Sequence, residues 1–294
     1  MIRIVLFGKN GQVGWELQRT LAPLGTVIAL DYPEIDFADP DGLREVVRER
    51  RPQVIVNAAA YTAVDKAEDE PALAWAINAN APGFLAEEAR RLGAALVHYS
   101  TEYVFDGSLG RPYLETDAPN PLNVYGQSKL AGEQAVQAVG GAYLILRTSW
   151  VYSNRLGGFV NKVLGWARQQ RVLKIVSDQV GNPTWCRMLA EATAQILSRA
   201  GNDPAGWLGE RSGLFHLAGD GFASRYAWAQ AILDCDPHQE EQVTEEILPA
   251  RTEEFPTRAR RPLYSPLNCE RFTETFGLRL PEWTIALRLA LQQI

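Results

Sequence analysis

The sequence predicts an α/β fold, in which a doubly wound parallel sheet is joined to a smaller, interwoven C-terminal domain. In the first half, short β-branched runs alternate with longer segments whose apolar residues recur at helical spacing. These runs are apolar along their whole length, which is typical of a sheet covered by helices on both faces. After about residue 150 strands become rarer, and Pro, Gly and Trp become more frequent.

Five apolar runs in the first half are predicted strands. The segments between them, such as VGWELQRTLAPLG and GFLAEEARRLG, are predicted helices, so consecutive strands form βαβ units. The predicted strands are IRIVLF (2–7), TVIAL (26–30), QVIVNAA (53–59), ALVHYS (95–100) and AYLILRTSWVY (142–152).

The chain is predicted to divide into residues 1–150, which bind a dinucleotide, and residues 151–294, which mainly bind the substrate. GLFHLAG (213–219) predicts a late strand that returns to the main sheet. Predicted helices span residues 182–200, opening near Pro183, residues 224–236, and residues 266–277, ending at Gly277, a residue type that tolerates positive φ.

Composition and charge exclude several classes of protein. Hydrophobic residues make up 46% of the 294 and charged residues 22%, as in a soluble globular protein. The formal net charge is −6 without basic blocks, so we expect no nucleic-acid partner. We also expect no membrane partner, since no apolar run is long enough to cross a bilayer.

The cysteines and the N-terminus indicate a cytoplasmic protein. Cys186, Cys235 and Cys269 are odd in number and widely spaced, as expected for reduced thiols. The N-terminal MIRIVLFGKNG has neither a basic region nor a cleavage site of the signal-peptide type. The histidines are scattered, so we predict no metal site from the residues.

A glycine loop follows the first predicted strand. Gly8, Gly11 and Gly14 lie between that strand and the first helix, spaced G-x-x-G-x-x-G. Glycines here permit a tight turn, close approach of the backbone to a pyrophosphate, and close packing of helix on strand. Because the strand and helix supply the required context, the loop predicts a Rossmann-type dinucleotide site.

Two residues bear on the choice between NADH and NADPH. Asp31 ends the second strand, where an acid usually binds the adenosine ribose 2′-hydroxyl, and this favours NADH. Lys9 lies in the loop and favours NADPH, because a cation there can meet a 2′-phosphate. The residues therefore leave both cofactors open.

The stretch NVYGQSKLAGEQ contains a candidate catalytic pair. Tyr125 and Lys129 lie four residues apart, so they share one face of a predicted helix at 125–138. A neighbouring ammonium is expected to lower the phenol pKa from its ordinary value near 10. Ser100 and Thr101 end a strand at the carboxyl edge, where open α/β sheets bind ligands.

These features resemble the extended short-chain dehydrogenase/reductase superfamily and, within it, the dTDP-4-dehydrorhamnose reductase family. The resemblance covers residues 4 to about 267, nearly the whole chain. The motifs that carry it are GKNGQVGWEL, VIVNAAAYTAVDKAE, HYSTEYVFDG, PLNVYGQSKLAGE, RTSWVY, SDQVGNPT and RRPLYSPL.

The resemblance implies a reaction, namely reduction of the C4 ketone of dTDP-4-dehydro-L-rhamnose by NADH or NADPH. Tyr125 is implied to donate the proton, Lys129 to lower the Tyr125 pKa and bind ribose, and Thr101 to bind the substrate oxygen. Hydride transfer places negative charge on that oxygen, so a proton donor and a hydrogen-bond donor are what the chemistry requires.

Further positions are implied by the same resemblance. Glu102 stands where the family usually has Asp, and Tyr61 where His is common. The implied contacts are Asn10, Gly11, Gln12 and Val13 with the pyrophosphate, Asp36 and Phe37 with the adenine, Ala60, Tyr61, Thr62 and Tyr99 with the nicotinamide side, and Glu102, Tyr103 and Trp150 with the substrate.

Two other functions stay open at this point. Sugar-nucleotide dehydratases and epimerases share the fold, but dehydratases place two acids after the strand threonine, whereas here Glu102 is followed by Tyr103. A regulatory subunit of methionine adenosyltransferase is similar too, and it would bind dinucleotide without turnover. The resemblance also allows a homodimer with an interfacial Mg²⁺, for which Glu16 is the one candidate ligand we name.

Overall fold

The computed structural model describes residues 2–155 and 157–292, in which twelve strands and twelve α-helices position the site. The strands are β1 (Ile2–Phe7), β2 (Gly25–Leu30), β3 (Val54–Asn57), β4 (Ala95–Thr101), β5 (Tyr143–Thr148), β6 (Val151–Tyr152), β7 (Val172–Val176), β8 (Val180–Gly181), β9 (Thr184–Trp185), β10 (Gly213–His216), β11 (Ala223–Ser224) and β12 (Glu246–Ala250). The helices are α1 (Gln12–Leu21), α2 (Pro40–Arg50), α3 (Val64–Ala67), α4 (Pro71–Trp75), α5 (Ala81–Leu92), α6 (Val124–Val139), α7 (Phe159–Ala167), α8 (Cys186–Ala200), α9 (Pro204–Gly209), α10 (Arg225–Asp234), α11 (Glu270–Phe276) and α12 (Trp283–Leu291).

The main sheet is parallel and runs in the order β10-β5-β4-β3-β1-β2. Alternate residues of β1 enter different cores: Ile4 packs with Leu17 of α1 on one face, and Val5 packs with Leu43 of α2 on the other. The predicted doubly wound α/β fold is therefore confirmed. All carboxyl ends of these strands lie at one edge, where the direction of winding reverses between β1 and β3.

The chain beyond residue 150 contributes to two layers. Strand β10 pairs with β5 at the edge of the main sheet, while a separate core is built on α7, α10, α12 and the small strands. No helix among the described residues is both long and apolar enough to span a membrane.

Three predicted elements are wrong in detail, among them the helix predicted at 266–277, which begins only at Glu270. The run 142–152 is not one strand, because Trp150 has a positive φ of 42° and separates β5 from β6. The helix predicted near Pro183 begins only at Cys186, because Thr184 and Trp185 form β9 beside β6. Gly277 does follow the late helix, with a φ of 60°.

A buried ion pair joins α6 to the sheet. Glu133 of α6 accepts two hydrogen bonds from Arg147 of β5, with Nε–Oε1 at 2.9 Å and Nη2–Oε2 at 2.6 Å. Ser100 of β4 donates to the same carboxylate at 2.5 Å. The two charged side chains are only 1–3% exposed. Because each buried charge is compensated by its partner, the Glu133, Arg147 and Ser100 side chains fix α6 against β4 and β5.

We predict that Glu133→Gln lowers the free energy of unfolding by about 3–5 kcal/mol, because it leaves Arg147 buried without a counter-charge. The matched control is Glu245→Gln, which breaks the exposed pair with Arg171, whose side chains are 63% and 75% exposed. That change should cost about 0–1 kcal/mol. Urea unfolding measures both, and equal losses would contradict the role given to the buried pair.

Candidate active site

The glycine loop has the geometry that a dinucleotide pyrophosphate requires. Gly8 has a φ of 85°, and a Cβ there would lie 2.6 Å from the Ala59 nitrogen. A Cβ on Gly14 would overlap the Gly8 carbonyl. Gly11 is the N-cap residue of α1 and provides no side-chain hydrogen bond to the helix. The first-turn N–H groups of α1 are directed at the loop. The loop therefore fits a pyrophosphate.

The end of β2 borders this loop. Asp31 accepts hydrogen bonds from the backbone N–H groups of Asn10 at 2.9 Å and Tyr32 at 2.8 Å. Lys9 donates to both carboxylate oxygens of Glu34, at 2.7 and 2.5 Å. Asp31 therefore binds the backbone of the loop, and Lys9 binds Glu34, a residue for which the sequence indicated no role.

Helix α6 is held so that its first turn meets the carboxyl end of β4. Asn123 caps it by accepting from the Gly126 N–H at 2.8 Å, and its own amide donates to the Arg260 carbonyl at 2.8 Å. Glu68 accepts from the Val124 N–H at 2.8 Å. Tyr125 is the second residue of the helix, so these bonds fix its position.

The structure brings Tyr125 and Thr101 together, as predicted. Tyr125 is half-buried, and its ring meets that of Tyr103 edge to face with centroids 5.5 Å apart. Burial raises the pKa of Tyr125 above its ordinary value, the Glu102 carboxylate raises it further, and a hydrogen bond with Thr101 opposes the shift. The phenol therefore keeps its proton at neutral pH.

Lys129 is more deeply buried in the protein than expected from the sequence. Its side chain is fully enclosed, and Nζ donates to the Tyr99 carbonyl at 2.7 Å and lies 3.4 Å from His98 Nε2. Burial lowers the pKa of Lys129 to about 8, with Glu133 opposing the shift. The ammonium is directed at the β4 backbone, and the expectation that Lys129 lowers the Tyr125 pKa stays a prediction.

Glu102 shares the buried end of β4. Its Oε2 accepts from the Thr101 hydroxyl at 2.8 Å. Burial raises its pKa to about 7, an effect opposed by that hydrogen bond and by the charge of Arg225. A carboxyl group that titrates near neutrality thus touches the hydroxyl assigned to the substrate oxygen.

Trp150 is the residue at which β5 and β6 are broken. A positive φ is costly for a tryptophan and indicates a conformation held by its surroundings. Its ring stacks on Trp228 with centroids 5.6 Å apart, and the Arg225 guanidinium lies 3.8 Å from the ring centroid. A Cβ at Gly181 would lie 2.6 Å from the ring, so only glycine leaves room for it.

Two arginines at the site were missed from the sequence. Arg225 begins α10 and is enclosed by Trp150, Phe159 and Trp228. Arg261 pairs with Asp65 at 2.6 Å and hydrogen-bonds Tyr103. Arg261 lies in the motif RRPLYSPL, from which a role at the site could have been predicted. No motif in the sequence indicated that Arg225 lies at the site.

A cavity of about 380 Å³ opens beside Arg225. Apolar and aromatic side chains form most of its walls, and Lys174 and Gln179 add polar groups. Its other lining residues are Phe159, Trp166, Gln170, Leu173, Ile175, Val176 and Phe255.

Several predicted ligand contacts have other partners in the structure. The Tyr61 hydroxyl donates a hydrogen bond to Glu70 at 2.6 Å. Burial and this hydrogen bond both raise the pKa of Tyr61, to about 12. The Tyr99 hydroxyl pairs with Thr193 at 2.6 Å, so only its carbonyl is directed at Lys129. The Phe37 ring packs on Phe7 in the core, and Asp36 is exposed and accepts a hydrogen bond from the Ala38 N–H. Ala60 and Thr62 lie between β3 and α3, and Gln12 and Val13 begin α1.

Glu16 does not fit the metal ligand that the resemblance suggested. Its side chain is 10% exposed, and its carboxylate accepts hydrogen bonds from Arg19 and from Arg187. Two guanidinium groups already balance its charge, so a divalent cation there would have to displace them. We assign no metal to Glu16.

Comparison with known proteins identifies the family. The family model described as RmlD substrate binding domain matches residues 2–294. A dTDP-4-dehydrorhamnose reductase of Escherichia coli (strain K12) is 44% identical, with 100% of this chain and 98% of that protein covered.

The chain belongs to the dTDP-4-dehydrorhamnose reductase family.

Solved structures of this family agree. A dTDP-4-dehydrorhamnose reductase of Clostridium acetobutylicum superposes with a TM-score of 0.90 at 34% identity, covering 99% of both chains. One from Bacillus anthracis, in complex with NADP, has a TM-score of 0.88 at 32% identity and covers 100% of this chain and 99% of its own. The family resemblance expected from the motifs is confirmed.

We predict that Glu102 makes stability depend on pH. In the unfolded chain it ionises near its ordinary pKa of 4.5, but in the folded protein only near 7, so ionisation opposes folding as pH rises between those values. Wild type should therefore lose about 3 kcal/mol relative to Glu102→Gln across this range, and no more above it.

Urea unfolding at a series of pH values measures this difference. The control is Glu253→Gln, which alters an exposed glutamate and should track wild type at every pH. Parallel curves for wild type and Glu102→Gln would show that Glu102 titrates normally.

Proposed function

We propose that this protein reduces the C4 ketone of dTDP-4-dehydro-L-rhamnose with NADH or NADPH and gives dTDP-L-rhamnose, a step of dTDP-rhamnose biosynthesis. Family membership over nearly the whole chain supports the reaction. The observation that carries the mechanism is the meeting of Thr101 and a protonated Tyr125 at the carboxyl edge of the sheet, the edge that also bears the glycine loop.

The chain's own residues supply the proton and the hydrogen bonds. The reduced dinucleotide, when bound, supplies the hydride. Negative charge then develops on the C4 oxygen of the sugar. Thr101 stabilises that oxygen by turning its hydroxyl proton to it from the Glu102 carboxylate, which accepts the Thr101 hydrogen bond in the structure. Tyr125 transfers its proton to that oxygen, and the raised pKa of Tyr125 ensures that the proton is present beforehand.

Lys129 is proposed to hold ribose and to supply positive charge below the site. Its ammonium is fixed by the Tyr99 carbonyl, 2.7 Å away, and its pKa of about 8 keeps it mostly protonated at neutral pH. A cation here favours the phenolate that Tyr125 becomes after it gives up its proton. Lys129 therefore eases the loss of that proton, while burial keeps the pKa of Tyr125 above its ordinary value overall.

The substrate is proposed to lie between Glu102, Tyr103 and Trp150. Arg225 and Arg261 face this region and supply positive charge suited to a sugar nucleotide, whose diphosphate is anionic. The aromatic cavity beside Arg225 has room for further parts of such a substrate.

The dehydratase alternative lacks a group that it needs. Expulsion of water requires a second carboxylate after the strand threonine, and Tyr103 occupies that position. Its pKa is raised by burial, so it offers a neutral phenol. The regulatory-subunit alternative has no observation in its favour here, because Thr101 and Tyr125 are in place.

We also propose that the protein works in the cytoplasm. All three cysteines are free thiols, as expected in a reducing compartment. A homodimer stays a prediction from the family resemblance.

We predict that Tyr125→Phe lowers turnover by about 10²-fold or more, because the proton donor is lost. Dinucleotide affinity should change little, since the ring is kept. Oxidation of NADH and NADPH is followed by near-ultraviolet absorbance, with dTDP-4-dehydro-L-rhamnose generated in situ.

The matched control is Tyr143→Phe, at the amino end of β5, away from the active edge. It should leave turnover unchanged. Near-normal activity of Tyr125→Phe would contradict the mechanism. Absence of turnover in wild type, with dinucleotide bound normally, would favour the hypothesis that the protein is a regulatory subunit.

A further inference from the structure

Three charged side chains meet where β2 ends beside the glycine loop. Lys9 is held by both oxygens of Glu34, at 2.5 and 2.7 Å. Glu34 also accepts from the Asp31 N–H at 3.3 Å, which brings the two carboxylates to the same turn. Lys9 holds the pKa of Glu34 below its ordinary value, so the pair is ionised at neutral pH.

In folds of this type, the 2′ position of the adenosine ribose lies at this turn. A 2′-hydroxyl needs a hydrogen-bond acceptor, whereas a 2′-phosphate needs a cation that is free to pair with it. Asp31 offers the acceptor. It is itself fixed by the N–H groups of Asn10 and Tyr32, so its carboxylate cannot turn away readily.

Lys9 by itself would suit the phosphate, but its charge is already balanced. With Lys9 paired to Glu34, the turn carries one positive and two negative side chains. A 2′-phosphate entering here must displace Glu34 from Lys9 and then lie close to two carboxylates. A 2′-hydroxyl meets neither cost.

We propose that Glu34 is a specificity-determining residue that occupies Lys9 and makes this protein select NADH over NADPH. The inference rests on the proposed use of a reduced nicotinamide dinucleotide. In the sequence Asp31 favoured NADH and Lys9 favoured NADPH. The pairing of Lys9 with Glu34 leaves Asp31 to decide between the two cofactors.

The test is the affinity of the purified protein for NADH and for NADPH, measured by quenching of tryptophan fluorescence in the absence of sugar nucleotide. Four proteins are compared: wild type, Glu34→Gln, Lys9→Gln and the double variant. Glutamine removes the charge in both cases; it keeps the shape of glutamate and is shorter than lysine.

We expect wild type to bind NADH more tightly than NADPH. Glu34→Gln should strengthen NADPH binding by about tenfold, because Lys9 is freed for a charge-assisted bond, and should change NADH binding less than about threefold. In the Lys9→Gln background, Glu34→Gln should give a clearly smaller gain, since no cation remains to be freed.

The wild-type preference should also weaken as salt is added, since side chains 25% and 50% exposed are screened. Tighter NADPH than NADH binding by wild type, or an equal NADPH gain with and without Lys9, would overturn the proposal. Binding is measured without the sugar nucleotide, so a protein that fails to reduce dTDP-4-dehydro-L-rhamnose can still show the NADH preference.

Discussion

The buried bond between Glu133 and Arg147 is the constraint on which the active site depends. Tyr125, Lys129 and Glu133 recur every four residues, so they form one polar stripe along α6. The stripe faces the interior, where Glu133 meets Arg147 and Ser100, and Lys129 meets the Tyr99 carbonyl. Because the bond fixes the position and rotation of α6, the opposite end of the stripe presents Tyr125 to Thr101.

The same edge of the sheet assembles the rest of the site. The chain leaves β5 with a positive φ at Trp150, which turns the indole onto Trp228 and against Arg225. This break brings an aromatic and cationic group close to Glu102. Glu102 is enclosed between these groups, and its raised pKa follows from that enclosure. Electrostatic interactions therefore connect the proton donor Tyr125 to Glu102, Glu102 to Arg225, and Arg225 to Arg261.

The sequence predicted what local spacing controls. The parallel strands follow from continuous apolar runs, and the Tyr125–Lys129 pair follows from helical spacing of four residues. The glycine loop follows from glycine's freedom at Gly8. It did not predict the direction of the Tyr125 pKa shift, because that depends on burial and on Glu102, which lies elsewhere in the chain. Arg225 was missed for the same reason, since only the packing of α10 on β6 and α7 brings it to Trp150.

The most direct test of the account is to follow the hydrogen that the cofactor delivers. The protein is incubated with dTDP-4-dehydro-L-rhamnose and NADH in which both hydrogens at the nicotinamide C4 are replaced by deuterium, and the sugar product is analysed by mass spectrometry and NMR. The account predicts one deuterium, at C4 of the rhamnose, with one NADH oxidised per sugar reduced. Product without deuterium, or conversion without net NADH oxidation, would contradict reduction at this site.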